Sequence, residues 1–308
     1  MNTQKNYPIG LAGKKWADAE KQQWREAQQI KRSYKDDVLD ELQELAEHFE
    51  LIQYGELRYG ENEYPLFVIK SRKWQKDRAN VFISGGVHGY ETSGVHGAIR
   101  FAQTLSPDYL AQYNFIIAPC VSPWGYETIN RWNPNTIDPN RSFYSNSPAQ
   151  EAFLLMAYIN SLAVEFLVHI DLHETTDTDN SEFRPALEAR DAHINKHSAI
   201  PDGFYLVGDT TKAQKNFQKA IINRVKKVTH IAPADQDQQL IGVSLAQFGV
   251  VNYAARELGL CMGLTDAPYV TTTEVYPDSP LVNNEMCINA QVAVICAALD
   301  YLNVSSVR

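Results

Sequence analysis

A chain of 308 residues, 44% of them hydrophobic, can bury a substantial core as one large α/β domain or two small ones. Its 37 acidic against 28 basic side chains leave a formal charge of −9, which repels phosphate backbones and argues against nucleic-acid binding; the densest basic run, Arg224 to Lys227, falls in a helical pattern as a solvated face. The longest uninterrupted apolar run, Val292 to Leu299, falls short of the ~20 residues of a membrane span, and the N-terminal residues lack the apolar core of a secretory signal, so no membrane partner is expected.

Trp16 to Glu50 is rich in Glu, Gln, Lys and Ala, with Val38, Leu39, Leu42, Leu45 and Ala46 at helical spacing. It predicts one or two surface helices packed on the main body, so residues 1–50 read as a helical extension of a catalytic domain over 51–308. Strands are predicted at Leu51–Arg58 and Tyr64–Ser71, joined by a turn at Gly60-Glu61-Asn62. Strand and helix then alternate: strand at Val81–Ser84, helix at Thr92–Leu105, strand at Phe115–Cys120, helix at Pro148–Leu162, strand at Glu165–Leu172. Helix follows at Ile194–Ser198 and Ala213–Lys227, strand-like segments at Cys261–Leu264 and Val270–Val275, and a closing helix at Asn289–Leu302. Such alternation predicts an α/β fold, a mixed and mostly parallel central sheet with helices on both faces. The stretch Ser122–Ser147, rich in Asn and Pro, reads as a long functional loop. In such sheets sites form where chains leave the C-terminal strand ends, here after Ser84, Cys120 and Leu172.

Gly85-Gly86-Val87-His88-Gly89-Tyr90-Glu91 follows the first of these exits. His88 and Glu91, three apart, share one side of a helical turn and offer an imidazole and a carboxylate, a donor pair suited to Zn²⁺. In Phe166-Leu167-Val168-His169-Ile170-Asp171-Leu172-His173 strand alternation puts His169, Asp171 and His173 on one face, with His173 at the exit. His173 is the third ligand expected, leaving one position open for water on a single zinc ion per chain. His169 reads instead as a core or supporting histidine. His193 and His197 are spaced i, i+4 without a carboxylate in register, and His48, His96 and His230 read as surface or packing residues. Cys120, Cys261, Cys287 and Cys296 form no Cys-x-x-Cys pair and are expected to be reduced, buried thiols of a cytoplasmic protein.

Between the ligand segments, Arg131 and Arg141 flank an Asn- and Pro-rich turn ending in Asp138-Pro139-Asn140-Arg141. Guanidinium forks bind carboxylates or an oxyanion, and Asp138 is suited to fix the tautomer of a ligand histidine. In order, His-x-x-Glu (His88, Glu91), Pro-x-Gly-Tyr-Glu (Pro123 to Glu127), Arg131, Asp-x-Asn-Arg-x-Phe (Asp138 to Phe143), a strand His (His173) and a late strand Glu (Glu274) resemble the zinc metallocarboxypeptidase family. The nine-residue step from Arg131 to Asn140 resembles its short-loop bacterial murein-peptide amidase branch, and the likeness runs from about Leu51 to Leu302.

The resemblance implies a zinc metallocarboxypeptidase acting on peptides with a free C-terminal carboxylate. It makes Glu274 the general base and Arg131 the holder of the oxyanion. Asn140 and Arg141 would grip the substrate carboxylate, Asp138 would orient His88, and Tyr253 would cap the substrate, with Tyr269 its rival. Glu257 and Glu285 compete with Glu274 but lack a clear strand. Three departures stand out: Ser122 where the family usually has Asn, Pro139 inside the Asp-x-Asn-Arg turn, and threonines ahead of Glu274. The Asp171-Leu172-His173 element also suits a zinc deacylase of N-acyl amino acids, similar to aspartoacylase and succinylglutamate desuccinylase, whereas Pro-x-Gly-Tyr-Glu favours the peptidase branch. The region holding Glu257, Gly259, Gly263 and Asp266 is expected to border the specificity pocket.

Overall fold

The structure is a computed structural model that describes residues 7–194 and 199–305. After helix α1 (Asp18–Glu26), a single π turn at Lys35–Leu39 runs into α2 (Asp40–Leu45). Hairpin strands β1 (Phe49–Tyr59) and β2 (Asn62–Ser71) follow, then β3 (Ala79–Gly85), α3 (Thr92–Gln103), α4 (Pro107–Gln112) and β4 (Tyr113–Ala118). Next come α5 (Pro123–Thr128), α6 (Gln150–Ser161), β5 (Phe166–Glu174), α7 (Arg184–Asp191), β6 (Tyr205–Asp209) and α8 (Lys215–Val225). A two-residue pair, β7 (Gln239–Leu240) and β8 (Val243–Ser244), precedes β9 (Val250–Tyr253), β10 (Tyr269–Val275) and α9 (Asn284–Ser305).

Eight strands form one sheet in the order β1-β2-β4-β3-β5-β10-β6-β9. The pairs β3–β4, β3–β5, β5–β10 and β6–β9 are parallel, and the other three are antiparallel. Alternation sorts the strand side chains into two cores. Val81, Ile83, Phe115, Ile117, Val168 and Ile170 meet α3, α8 and α9 on one face, whereas Phe82, Ile116, Val207 and Val251 meet α6 and the Leu260–Met262 turn on the other. By length and composition α9 could cross a bilayer, a reach that a count of uninterrupted apolar residues did not register. Its Ala290, Val294, Ala298 and Leu299 are buried in the first of these cores.

Several expectations need correcting. Cys261–Gly263 is a 3₁₀ turn rather than a strand; the Cys261 amide donates to Asn140 Oδ1 at 2.7 Å in place of a ladder bond. Ile194 lies outside any helix, and the rest of the helix expected over 194–198, His197 included, lies outside the described residues. Helix forms earlier, in α7, where Pro185 opens a run of good helix formers and Ala192 ends it in the left-handed region. The expected loop from Ser122 begins with α5. β6 and β9, short and interrupted by Gly208 or Asn252, carried too little pattern to be predicted. The N-terminal helices do lie on the surface and pack on the main body through one face, with Trp24, Val38, Leu42 and Leu45 joining the sheet's core.

Candidate functional site

β3, β5 and β10 lie side by side and parallel, so their C-terminal ends gather three loops in one place. Beyond β3 the chain turns through Gly86, whose φ of +60° suits glycine. His88 and Glu91 follow, Glu91 at the cap of α3. Gly89 passes so close to α5 that a Cβ there would stand 2.0 Å from the Tyr126 amide nitrogen. His173 sits near the end of β5, and in register beside it on β10 is Glu274.

The nitrogen and oxygen donors of His88, Glu91 and His173 lie within 4.8 Å of one another, and all three residues are buried. Each imidazole is fixed at its far edge. His88 Nε2 is 2.9 Å from Asp138 Oδ1, and His173 Nε2 is 2.8 Å from Asp171 Oδ2. Burial alone would raise both carboxyls, but Arg131 and His88 hold Asp138 well below its ordinary value and His173 lowers Asp171. Glu91 stands 2.7 Å from His88 Nδ1 and 2.6 Å from His173 Nδ1; with each Nε2–H donating to its ionised partner, both Nδ1 atoms would be free to turn lone pairs to a bound cation. Burial opposes charge on Glu91, yet the two histidines bring it down to about 2.

Glu91 Oε2 has no hydrogen-bond partner among the described residues despite its full burial and its short approach to His173. A buried carboxylate oxygen without a hydrogen-bond partner, in a cluster of two imidazoles, fits a cation better than a closed hydrogen-bond network. Two imidazoles and one carboxylate suit zinc with an open fourth position. His169, Asp171 and Cys261 also cluster, but as a closed layer beneath the site. Ser84 donates to Asp171 Oδ1 at 2.6 Å and meets His169 Nε2 at 3.1 Å, while Thr265 and Cys261 complete the network. Burial pushes His169 down to about 4.

A cavity of about 640 Å³ opens over these residues. Arg131, Asp138, Asn140, Arg141, Tyr253 and Glu274 all line it. Arg131 Nε donates to Asp138 Oδ2 at 3.0 Å and Nη1 reaches Asp179 Oδ1 at 3.4 Å, leaving Nη2 without a hydrogen-bond partner among the described residues. Arg141 donates to the Asn140 carbonyl. The Asn140 side-chain oxygen is taken by Cys261, and its amide nitrogen stands 3.4 Å from His173 Nε2. Burial, opposed by His173, pushes Glu274 up to about 8; Thr175 donates to its Oε2 at 2.7 Å. Burial likewise carries Tyr253 up to about 12.

The rivals separate cleanly. Tyr269 packs on Phe217 and Tyr301, Glu257 is exposed, and Glu285 pairs with Arg100 at 2.6 Å on the surface. His96 meets the Tyr126 hydroxyl, and His230 meets Asp202. Ser122 is turned to the Val87 carbonyl. Asp266 is paired with Arg256 outside the cavity, whose walls here are Leu258, Leu260, Val207 and Thr272. Sequence reasoning missed Asp179 and Tyr90. Tyr90 stacks on His88 and donates to Asp179, tying Arg131 to the ligand loop. The only signal for Asp179 was its place in an acidic loop just beyond His173.

Residues 77–205 match the family model of the succinylglutamate desuccinylase/aspartoacylase catalytic domain, a span that contains all three candidate ligands and ends before Glu274. No curated relative matches the chain. Among solved structures, a candidate metallopeptidase from Shewanella amazonensis superposes with a TM-score of 0.66 at 17% identity, covering 89% of this chain and 98% of that one. A metallo-carboxypeptidase from Burkholderia cenocepacia gives 0.60 at 16%, covering 87% and 69%. Bovine thrombin-activatable fibrinolysis inhibitor gives 0.58 at 12%, covering 92% and 99%. Sheet order, site position and these superpositions agree: the chain has the zinc carboxypeptidase-like fold.

Proposed function

We propose that the chain is a zinc-dependent hydrolase that cleaves an amide bond next to a free carboxylate, acting as a carboxypeptidase on the C-terminal residue of peptides. The observation that carries this reading is the convergence of two imidazole Nδ1 atoms on the buried Glu91 carboxylate, beside Glu274 and an arginine-bearing loop in one open cavity. His88, Glu91 and His173 would hold the ion. Zinc at that position would polarise the amide carbonyl and lower the pKa of a water toward about 7. Glu274, in its ionised form, would take a proton from the attacking water and return it to the leaving amine. Arg131 Nη2 would bind the developing oxyanion, and Arg141 the substrate carboxylate, with Asn140 and Tyr253 beside them. Residues 51–308 would form the catalytic domain and residues 1–50 its extension.

A second reading, deacylation of N-acyl amino acids, is favoured by the family model that matches residues 77–205. Both reactions break an amide beside a carboxylate, so the same residues serve either. Zinc-loaded protein should be assayed on a hippuryl-type dipeptide, its C-terminally amidated form and an N-acyl amino acid. Faster turnover of the free-acid dipeptide supports the carboxypeptidase, and preference for the N-acyl amino acid supports the deacylase. Equal cleavage of the amidated peptide would remove the role given to Arg141.

A further inference from the structure

Gly89 and Tyr90 form the only link between the ligands His88 and Glu91, and they precede α3, so no helical amide satisfies their carbonyls from within that turn. Both carbonyls instead accept from one side chain of the N-terminal extension, the Tyr90 oxygen taking a second bond from Thr92 Oγ1 at 3.2 Å. Arg32 Nη2 donates to the Gly89 and Tyr90 oxygens, each at 3.1 Å. Its Nη1 donates to Thr92 Oγ1 at 2.5 Å, and its Nε to the Tyr126 carbonyl at 2.6 Å. The guanidinium also lies over the Tyr126 ring, 4.0 Å from its centre. One rigid fork therefore joins the ligand turn, the first residue of α3 and the α5 backbone.

The chain around Arg32 is itself anchored. Lys31 N donates to the Glu127 carbonyl at 2.8 Å and Tyr34 N to Glu127 Oε1 at 2.9 Å. Trp24 is wedged between Trp124 and Trp132. We infer that Arg32 is a positioning residue for the metal: the N-terminal extension acts as a strap whose guanidinium holds the His88–Glu91 turn in ligating geometry. Without it the Gly89 carbonyl loses its donor and the turn its cross-link to the α5 backbone, so the ligands hold their common focus less firmly. Lysine keeps the charge but lacks the planar fork that reaches four acceptors at once. This inference rests on the metal reading of His88, Glu91 and His173.

Zinc affinity, measured by competition with a chromophoric chelator, tests it without reference to turnover. Arg32→Ala should bind zinc about 10–100-fold more weakly, the range seen when partners behind the ligands are lost. Arg32→Lys should fall between the two, and added guanidinium ion should recover part of the loss in Arg32→Ala but change nothing in the parent. Arg25→Ala, which breaks the strap's 2.8 Å bond to the Pro134 carbonyl away from the ligand turn, should keep parental affinity. Should Arg32→Ala fail to fold, Arg32→Lys carries the same comparison. Parental affinity in the Arg32 variants, or an equal loss in Arg25→Ala, overturns the positioning role alone. A parent protein that takes up no zinc overturns the metal reading together with it.

Discussion

Glu274 owes its place to register. β10 and β5 run parallel with Glu274 opposite His173, so its carboxylate is carried beside a candidate ligand. Burial lifts it to about 8, close enough to neutrality for the proposed role of accepting and returning a proton. Glu274→Gln keeps shape and removes the base, so zinc content should stay at one per chain while kcat falls by about 10²–10⁴. Near-parental kcat would move the base elsewhere. His169 allows a test of pH that does not involve the ion. Burial depresses it from its ordinary 6.5 to about 4, so between these values the unfolded chain binds a proton that the folded chain refuses. The stability linked to neutral His169 is therefore complete above about pH 6.5 and is lost as pH falls toward 4. His169→Gln can still meet Ser84 and should lose less stability than the parent between pH 7 and pH 4, by on the order of 2–3 kcal/mol in urea titrations. Parallel acid profiles would show that His169 is protonated in the fold.

At the scale of elements, glycine decides how close the ligand turn comes to its support. Gly89 rests on α5, and a Cβ there would sit 2.3 Å from both the Gly125 carbonyl carbon and the Ser122 oxygen. These are backbone atoms in buried segments, so they cannot give way as a flexible side chain would. Gly89→Ala should cost about 3 kcal/mol of stability, at the upper end of overpacking effects, and should weaken zinc binding because the turn moves with its ligands. An unchanged unfolding midpoint with parental zinc affinity would show that α5 is loosely seated. The same elements explain what was legible in the sequence. β3, β4 and β5 are apolar runs buried on both sides, and α3, α6, α8 and α9 have long helical patterns, so all were predicted within a few residues of their ends. His88, Glu91 and His173 were legible because they sit at exits of such strands. The roles of Asp179, Tyr90 and Arg32 were not, since their partners come from segments far away in sequence and no local spacing encodes them. Glu127, part of the Pro-x-Gly-Tyr-Glu motif, serves the scaffold: its carboxylate accepts from the Tyr34 amide and the Tyr64 hydroxyl behind the site.

For the whole molecule, the ion would be a tie between segments that the sheet brings close but does not bond through their side chains. His88 and Glu91 follow β3 and His173 belongs to β5, so the unfolded chain holds no preformed site. A ligand bound only by the folded state stabilises it by RT ln(1 + [L]/Kd), about 2.7 kcal/mol when free zinc is 100 times Kd. Stripping zinc with a chelator should therefore lower Tm by several degrees, given about 2–4 °C per kcal/mol in chains of 150–250 residues and somewhat less in a longer one. Restoring zinc should return it. His173→Ala lacks a ligand and should melt at one temperature with or without zinc, whereas His169→Gln should keep the full zinc-dependent rise, because its ring belongs to the closed layer below. The pair distinguishes two meanings of a buried histidine cluster. A zinc-dependent rise that survives in His173→Ala would locate the bound ion away from the β3 and β5 exits, and the cavity's arginines would then face no metal at all.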